Sequence, residues 1–297
     1  MLMPRFTLAS LLIGTGLWAL LLLAPPIPII PRVLLLAVLV VVPLALWLVD
    51  APAPLLNAQP IGALLMVVAF LLPAGFLAGG LALSWLAFTG LVALLGLVRL
   101  RAHRFNDAAE LCLTVGMLYL PIGGVWLVAS RFGISLLGFG EPLVSLTAAH
   151  FHYAGFAALI IAGLTGRRLT GTPRRIFRWV ATGLIAGMAL VAAGITLSPL
   201  LEVVAASVFA ASITGLALLQ LIGIVPRLSR RWPQVLLTVS GLMGIWAMGA
   251  AVLYAVSEYT QSAFLLIPQM LRIHGEVNAL GFVLLNLVGW AMIKWGA

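Results

Sequence analysis

Long apolar runs alternate along this chain with short segments that hold most of its arginines. Ten runs are read, at residues 6–23, 33–49, 61–77, 80–98, 109–129, 143–165, 177–197, 201–225, 235–256 and 267–293. A hydrocarbon core of about 30 Å is spanned by about 20 residues of helix, the length of these runs. None alternates apolar and polar positions with period two, the pattern of barrel strands. Backbone groups in lipid must find partners inside the structure, so uninterrupted runs of this kind predict helices. The expected fold is an all-α integral membrane protein with about ten transmembrane helices, in a single transmembrane helical domain over residues 1–297.

The breaks between runs refine this picture. The third and fourth runs nearly merge at residues 78–80, where Gly79 and Gly80 leave room for a very tight turn. Pro43, Pro73 and Pro121 fall within runs and predict kinks, which membrane bundles tolerate. Gly183 and Gly187 have the GxxxG spacing of close helix contacts. The first run follows Arg5 as a signal peptide's apolar region follows its basic residue. It ends in LLLAPPIPIIPR, without a small-residue cleavage site, and is expected to be a retained helix.

Composition supports the membrane reading. Of 297 residues 64% are apolar and 8% charged, with a mean hydropathy of +1.23, whereas soluble domains are about 45–50% apolar. The net charge of +9 does not indicate a nucleic-acid partner, because the arginines sit in short loops and report topology. Placing both termini in the cytoplasm puts 13 of the 16 basic residues inside, including Arg5, Arg104, Arg167, Arg168, Arg227 and Lys294; Arg32, Arg131 and Arg272 fall outside. The expected location is the cell's plasma or inner membrane, with lipids as neighbours. Cys112 is the sole cysteine, which excludes an internal disulfide or a zinc–cysteine cluster.

Ionisable groups inside spans are functional candidates, since a charge at depth costs about 2.5 kcal/mol or more. In AAHFHYAGF, residues 148–156, His150 lies about 10 Å from the outer end of its run at 1.5 Å per residue, and His274 enters the last run to a similar depth. His150, His152 and His274 thus share an outer layer, whereas His103 lies in an inner loop. Positions i and i+2 point about 200° apart on a helix, so His150 and His152 face different environments or the helix is broken there. In LRIHGEVNALGF, residues 271–282, His274 and Asn278 share a face. Glu276 is either a partner of Arg272, four residues away, or part of the site. Glu141, Glu202 and Glu258 sit at outer helix ends.

HFHYAGF together with HGEVNALGF resembles the YndJ-like family of bacterial membrane proteins, a resemblance that implies a many-helix membrane protein. AHFHY is also similar to a helix of haem-copper oxidase catalytic subunits, in which two histidines in His-x-His spacing ligate different haem irons. That likeness implies axial-ligand roles for His150 and His152. Too few histidines remain for a complete oxygen-reducing centre, which leaves one haem or transition metal held by His274 and one of the other two.

Three functional classes follow. The first is a haem or metal site formed by His150, His152 and His274, with Tyr153 and Asn278 around it. The second is a cofactor-free membrane enzyme acting on a lipophilic small molecule, with His274 and Glu276 or Glu202 as acid and base. The third is a proton-coupled transporter or sensor; the lack of an internal repeat and of ionisable residues below the histidine layer counts against transport.

Overall fold

The computed structural model describes residues 5–23, 27–103, 107–262 and 264–296. Ten helical stretches run through them: α1 Arg5–Leu23, α2 Ile29–Leu48, α3 Ala53–Leu71, α4 Phe76–His103, α5 Ala108–Phe132, α6 Leu143–Arg168, α7 Gly171–Leu197, α8 Pro199–Gly223, α9 Arg231–Tyr259 and α10 Ile267–Trp295. Among the described residues α2 to α10 are nine helices long and apolar enough to cross a membrane, and a shorter apolar stretch, Leu8–Leu23, lies in α1. Pro25 and Pro26, expected to end the first run, and Arg104 of the topology pattern lie outside the described residues.

The third helix departs from its expected limits. It starts at Ala53, with a proline in its first turn, and ends at Leu71, so the turn falls at residues 72–75 rather than at Gly79 and Gly80. Pro73 is the cause: it cannot continue a helix, and the residue before it is driven extended, as Leu72 is at φ −92° and ψ 152°. Pro73 therefore makes a turn and not a kink. Arg131 fixes this turn by donating from Nη2 to the Leu72 carbonyl at 2.8 Å, while the Gly75 N–H donates to the Arg131 carbonyl at 2.8 Å. Gly79 instead lies inside α4 against the Phe132 ring, where any Cβ would collide.

Two compact units divide the chain. Unit 1 takes Met1–Arg104 and Thr114–Ala157, and unit 2 takes Phe105–Leu113 and Ala158–Gly296. In unit 1, α2 widens to π-helical turns over Ala37–Val41, immediately before Pro43, and the Val42 N–H reaches back five residues to the Ala37 carbonyl. The wider turn relieves the clash that a proline ring makes with the preceding helical turn. It also leaves the Val38 carbonyl without its i+5 donor, because that position is Pro43. Gln59, 3% exposed on α3, supplies the missing donor from Nε2 at 2.8 Å.

In unit 2, α7, α8, α9 and α10 pack in chain order, each against the next. Gly183 lies against Ser212 and Gly187 against Phe209, so the GxxxG pair brings α7 close to α8. One end of unit 2 holds the arginine-rich segments after α6 and α8; the other holds Glu202, Glu258 and the start of α10. At the arginine end, Arg174 pairs with Asp107 at 2.6 Å and Arg167 with Glu110 at 2.6 Å.

Replacing Gln59 with Leu is expected to destabilise the protein by about 1 kcal/mol, because a buried carbonyl loses its donor. In a Pro43→Ala background, where a backbone N–H returns, the same substitution should cost distinctly less. Denaturation of the four proteins in mixed micelles measures this coupling, and additive costs would refute it.

Candidate functional site

In unit 1 the His-x-His pair sits where α6 changes pitch, with π-helical turns over Phe151–Ala157. His150 is exposed and its Nδ1 lies 2.8 Å from the Leu146 carbonyl. His152 is completely buried, with Nδ1 at 2.8 Å from the Ala148 carbonyl and Nε2 at 3.0 Å from the Trp85 indole nitrogen. The two histidines thus occupy different environments, as their spacing requires. A carbonyl only accepts and an indole N–H only donates, so His152 is a neutral imidazole protonated on Nδ1. Both of its nitrogens are engaged, and an axial bond to haem iron or another metal would have to displace Trp85. Gly123 makes room for this ring: a Cβ there would stand 2.7 Å from Nδ1. Tyr153 donates its hydroxyl to the Val33 carbonyl at 2.8 Å, and Glu141 accepts from the Ser145 hydroxyl at 2.8 Å.

His274 belongs to unit 2 and lies in a π-helical stretch of α10, Leu271–Leu284. Its half-buried ring places Nδ1 at 2.9 Å from the Ala247 carbonyl on α9. The carbonyl again assigns the proton to Nδ1, so Nε2 is the basic nitrogen. Asn278 Nδ2 lies beside the ring, 3.2 Å from Nδ1 and 3.4 Å from Nε2, as the four-residue spacing predicts. Glu276 is half-buried on the same stretch, and Arg272 is exposed.

The carboxylates of unit 2 come with a tyrosine that the sequence reading passed over. Tyr254 and Glu258 are four apart on α9 and within electrostatic range of each other, and Glu202 on α8 lies within electrostatic range of Glu258. Tyr254 is two helical turns, about 10 Å, beyond Ala247 on one side of α9. Among the described residues, no three His, Cys, Asp or Glu side chains gather so as to hold a metal ion. The metal-binding expectation therefore finds no support.

A second polar constellation in unit 2 was also missed. Gln220 and Asn286 exchange amide hydrogen bonds, at 2.9 Å from Asn286 Nδ2 to Gln220 Oε1 and 3.2 Å in return. Gln220 Nε2 also reaches Thr165 Oγ1 at 2.8 Å, and Asn286 Nδ2 reaches Ser240 Oγ at 2.8 Å. All four side chains are fully buried. They join α6, α8, α9 and α10 by neutral contacts of the kind that hold membrane helices together. Each amide stands alone within an apolar run, and only a search for isolated amides could have found them.

The helices, their apolar surfaces and these internally satisfied polar groups define a polytopic α-helical membrane protein. The chain belongs to the YndJ-like protein family, whose profile matches residues 32–282. It is 30% identical over 277 residues to the membrane protein YndJ of Bacillus subtilis (strain 168), a match covering 90% of this chain and 49% of that protein. The chain thus spans about half the length of the curated relative it matches. No solved structure matches it.

For the amide pair, Gln220→Leu and Asn286→Leu are each expected to cost about 1–2 kcal/mol, since each strands its partner. The double variant should cost less than the sum of the two, because Thr165 and Ser240 keep their bonds to the Ile161 and Leu237 carbonyls. Thermal unfolding in nanodiscs distinguishes this from independent, additive contributions.

Proposed function

We propose that the protein lies in the cell membrane with its arginine end cytoplasmic, and that the acidic half of unit 2 carries out cofactor-free acid–base chemistry on a lipophilic small molecule. The observation that carries this reading is the fixed tautomer of His274. A backbone carbonyl holding Nδ1–H directs the basic Nε2 away from α9, the arrangement by which an imidazole is oriented for proton transfer. The π-helical stretch around it supports the same reading, since such widened turns recur at functional sites. Asn278 orients the bound molecule beside Nε2, and Glu276 is the nearest carboxylate along the chain.

Exchange with water at the acidic end runs through exposed Glu258 and its neighbour Tyr254, one helical turn away, with Glu202 sharing the charge. His150 and His152 take no chemical step in this scheme: the buried ring of His152 is a helix-joining group. In this scheme a lipophilic substrate reaches His274 from within the membrane.

Purified protein in nanodiscs, incubated with a total bacterial lipid extract and followed by mass spectrometry, tests the proposal. Wild type is expected to convert at least one component, and His274→Gln to slow that conversion by about 100-fold or more while its unfolding temperature stays within a few degrees. His152→Gln should affect stability more than rate. Equal conversion by wild type and His274→Gln would overturn the proposal, as would no conversion by either.

A further inference from the structure

At the arginine end of unit 2 a groove of about 310 Å³ is lined by Arg168, Gly223, Ile224, Arg227 and Leu228. We propose that this groove binds the phosphate of an anionic phospholipid headgroup, with Arg168 and Arg227 as its two cationic arms. Both arginines are exposed, and among the described residues neither has a carboxylate partner. The neighbouring acids are already engaged: Glu110 holds Arg167 and Asp107 holds Arg174. Among the described residues of this region, the two positive charges in the groove thus have no carboxylate counter-charge.

The end of α8 contributes negative potential here, because the last helical carbonyls carry about half an elementary charge. Two guanidinium groups exceed it and leave the groove cationic. Arg168 is held rather than free to roam, with its guanidinium carbon 5.6 Å from the centre of the Trp290 ring. Trp290 is 3% exposed, and its indole N–H is a buried donor without a partner. Arginine presents a planar fork of donors that matches phosphate oxygens.

The groove's depth in the membrane selects the lipid. Trp179, Trp232 and Trp295, near the arginine-end termini of α7, α9 and α10, are 81%, 67% and 46% exposed. Exposed tryptophans at helix ends mark the level of lipid headgroups. The floor of the groove is apolar, from Ile224 and Leu228, which suits the glycerol and first acyl carbons below a phosphate. Basic pockets between helices on this side of a membrane are places where anionic headgroups bind.

The test compares wild type with Arg168→Gln/Arg227→Gln and with Arg175→Gln/Arg178→Gln, which removes the same charge outside the groove. Each is placed in phosphatidylcholine nanodiscs, titrated with phosphatidylglycerol, and read by native mass spectrometry and unfolding temperature; circular dichroism checks that each variant is folded. Wild type and the Arg175/Arg178 control should bind phosphatidylglycerol saturably, and the groove variant should lose about tenfold or more in affinity. Inorganic phosphate is a separate arm. Saturable stabilisation by phosphate alone, lost in the groove variant, would uphold the anion site but assign it to free phosphate. Equal loss in both double variants, or no loss in the groove variant, would overturn the proposal, because binding would then follow overall surface charge or lie elsewhere.

Discussion

Within the membrane a carbonyl that loses its hydrogen-bond donor has no water to turn to, and the packing of this protein depends on meeting that demand. The Val38 carbonyl is the simplest case. Pro43 removes the N–H that a widened turn would offer it, and Gln59 reaches across from α3 to replace the donor. Arg131 does the same at the end of α3 by capping Leu72. In each case a polar side chain just beyond the end of an apolar run is explained by a backbone group that a proline has left exposed or unpaired. Pairing of α3 with α2 and with the end of α5 is therefore specified by polar contacts as well as by apolar surface.

The same demand separates the roles of the histidines. All three within the spans place Nδ1 against a backbone carbonyl, which fixes the tautomer and leaves Nε2 to decide what each can do. For His152 the Trp85 indole fills that position, and the ring joins α4 to α6 without a charge. For His274 the Asn278 carboxamide lies beside the ring, 3.2 Å from Nδ1 and 3.4 Å from Nε2, a looser, side-on contact than the indole's. The two residues are alike in depth and type along the sequence, and only the neighbouring helices distinguish them.

How much of this was legible follows from the range over which each signal acts. Helix positions are set by local hydropathy, and ten runs were readable to within a few residues wherever a run ended in loop-forming residues. The start of α3 was not, because Pro52, Pro54 and Pro60 made residues 50–60 resemble a loop, whereas Pro52 and Pro54 sit at the helix start, where proline is compatible with a helix, and Pro60 is accommodated inside it. The Gly79–Gly80 pair resembled a turn for the same local reason, although Gly79 serves contact with Phe132, a residue far away in sequence. Opposite environments for His150 and His152 followed from helical geometry alone, as did the meeting of His274 and Asn278. What could not be read was which partner each polar group finds: Trp85 for His152, Ala247 for His274, and Gln220 for Asn286 are 67, 27 and 66 residues away.

Those distant pairings also bear on the kind of function unit 2 can support. Proton-coupled transport needs titratable or wettable groups in succession from one side of the membrane to the other. Between His274 and the arginine end, the buried polar groups of unit 2 include the amides of Gln220 and Asn286, the hydroxyls of Thr165, Ser212 and Ser240, and the Trp290 indole. The hydrogen bonds of the amides and hydroxyls close on one another and on the chain's own carbonyls, and no member of the set changes charge near neutral pH. Opening a path through them would break the reciprocal amide pair and strand its members in a dry interior, a cost repeated in every transport cycle. The closed network therefore forms a neutral layer within unit 2, and it joins four helices through side chains that stay uncharged.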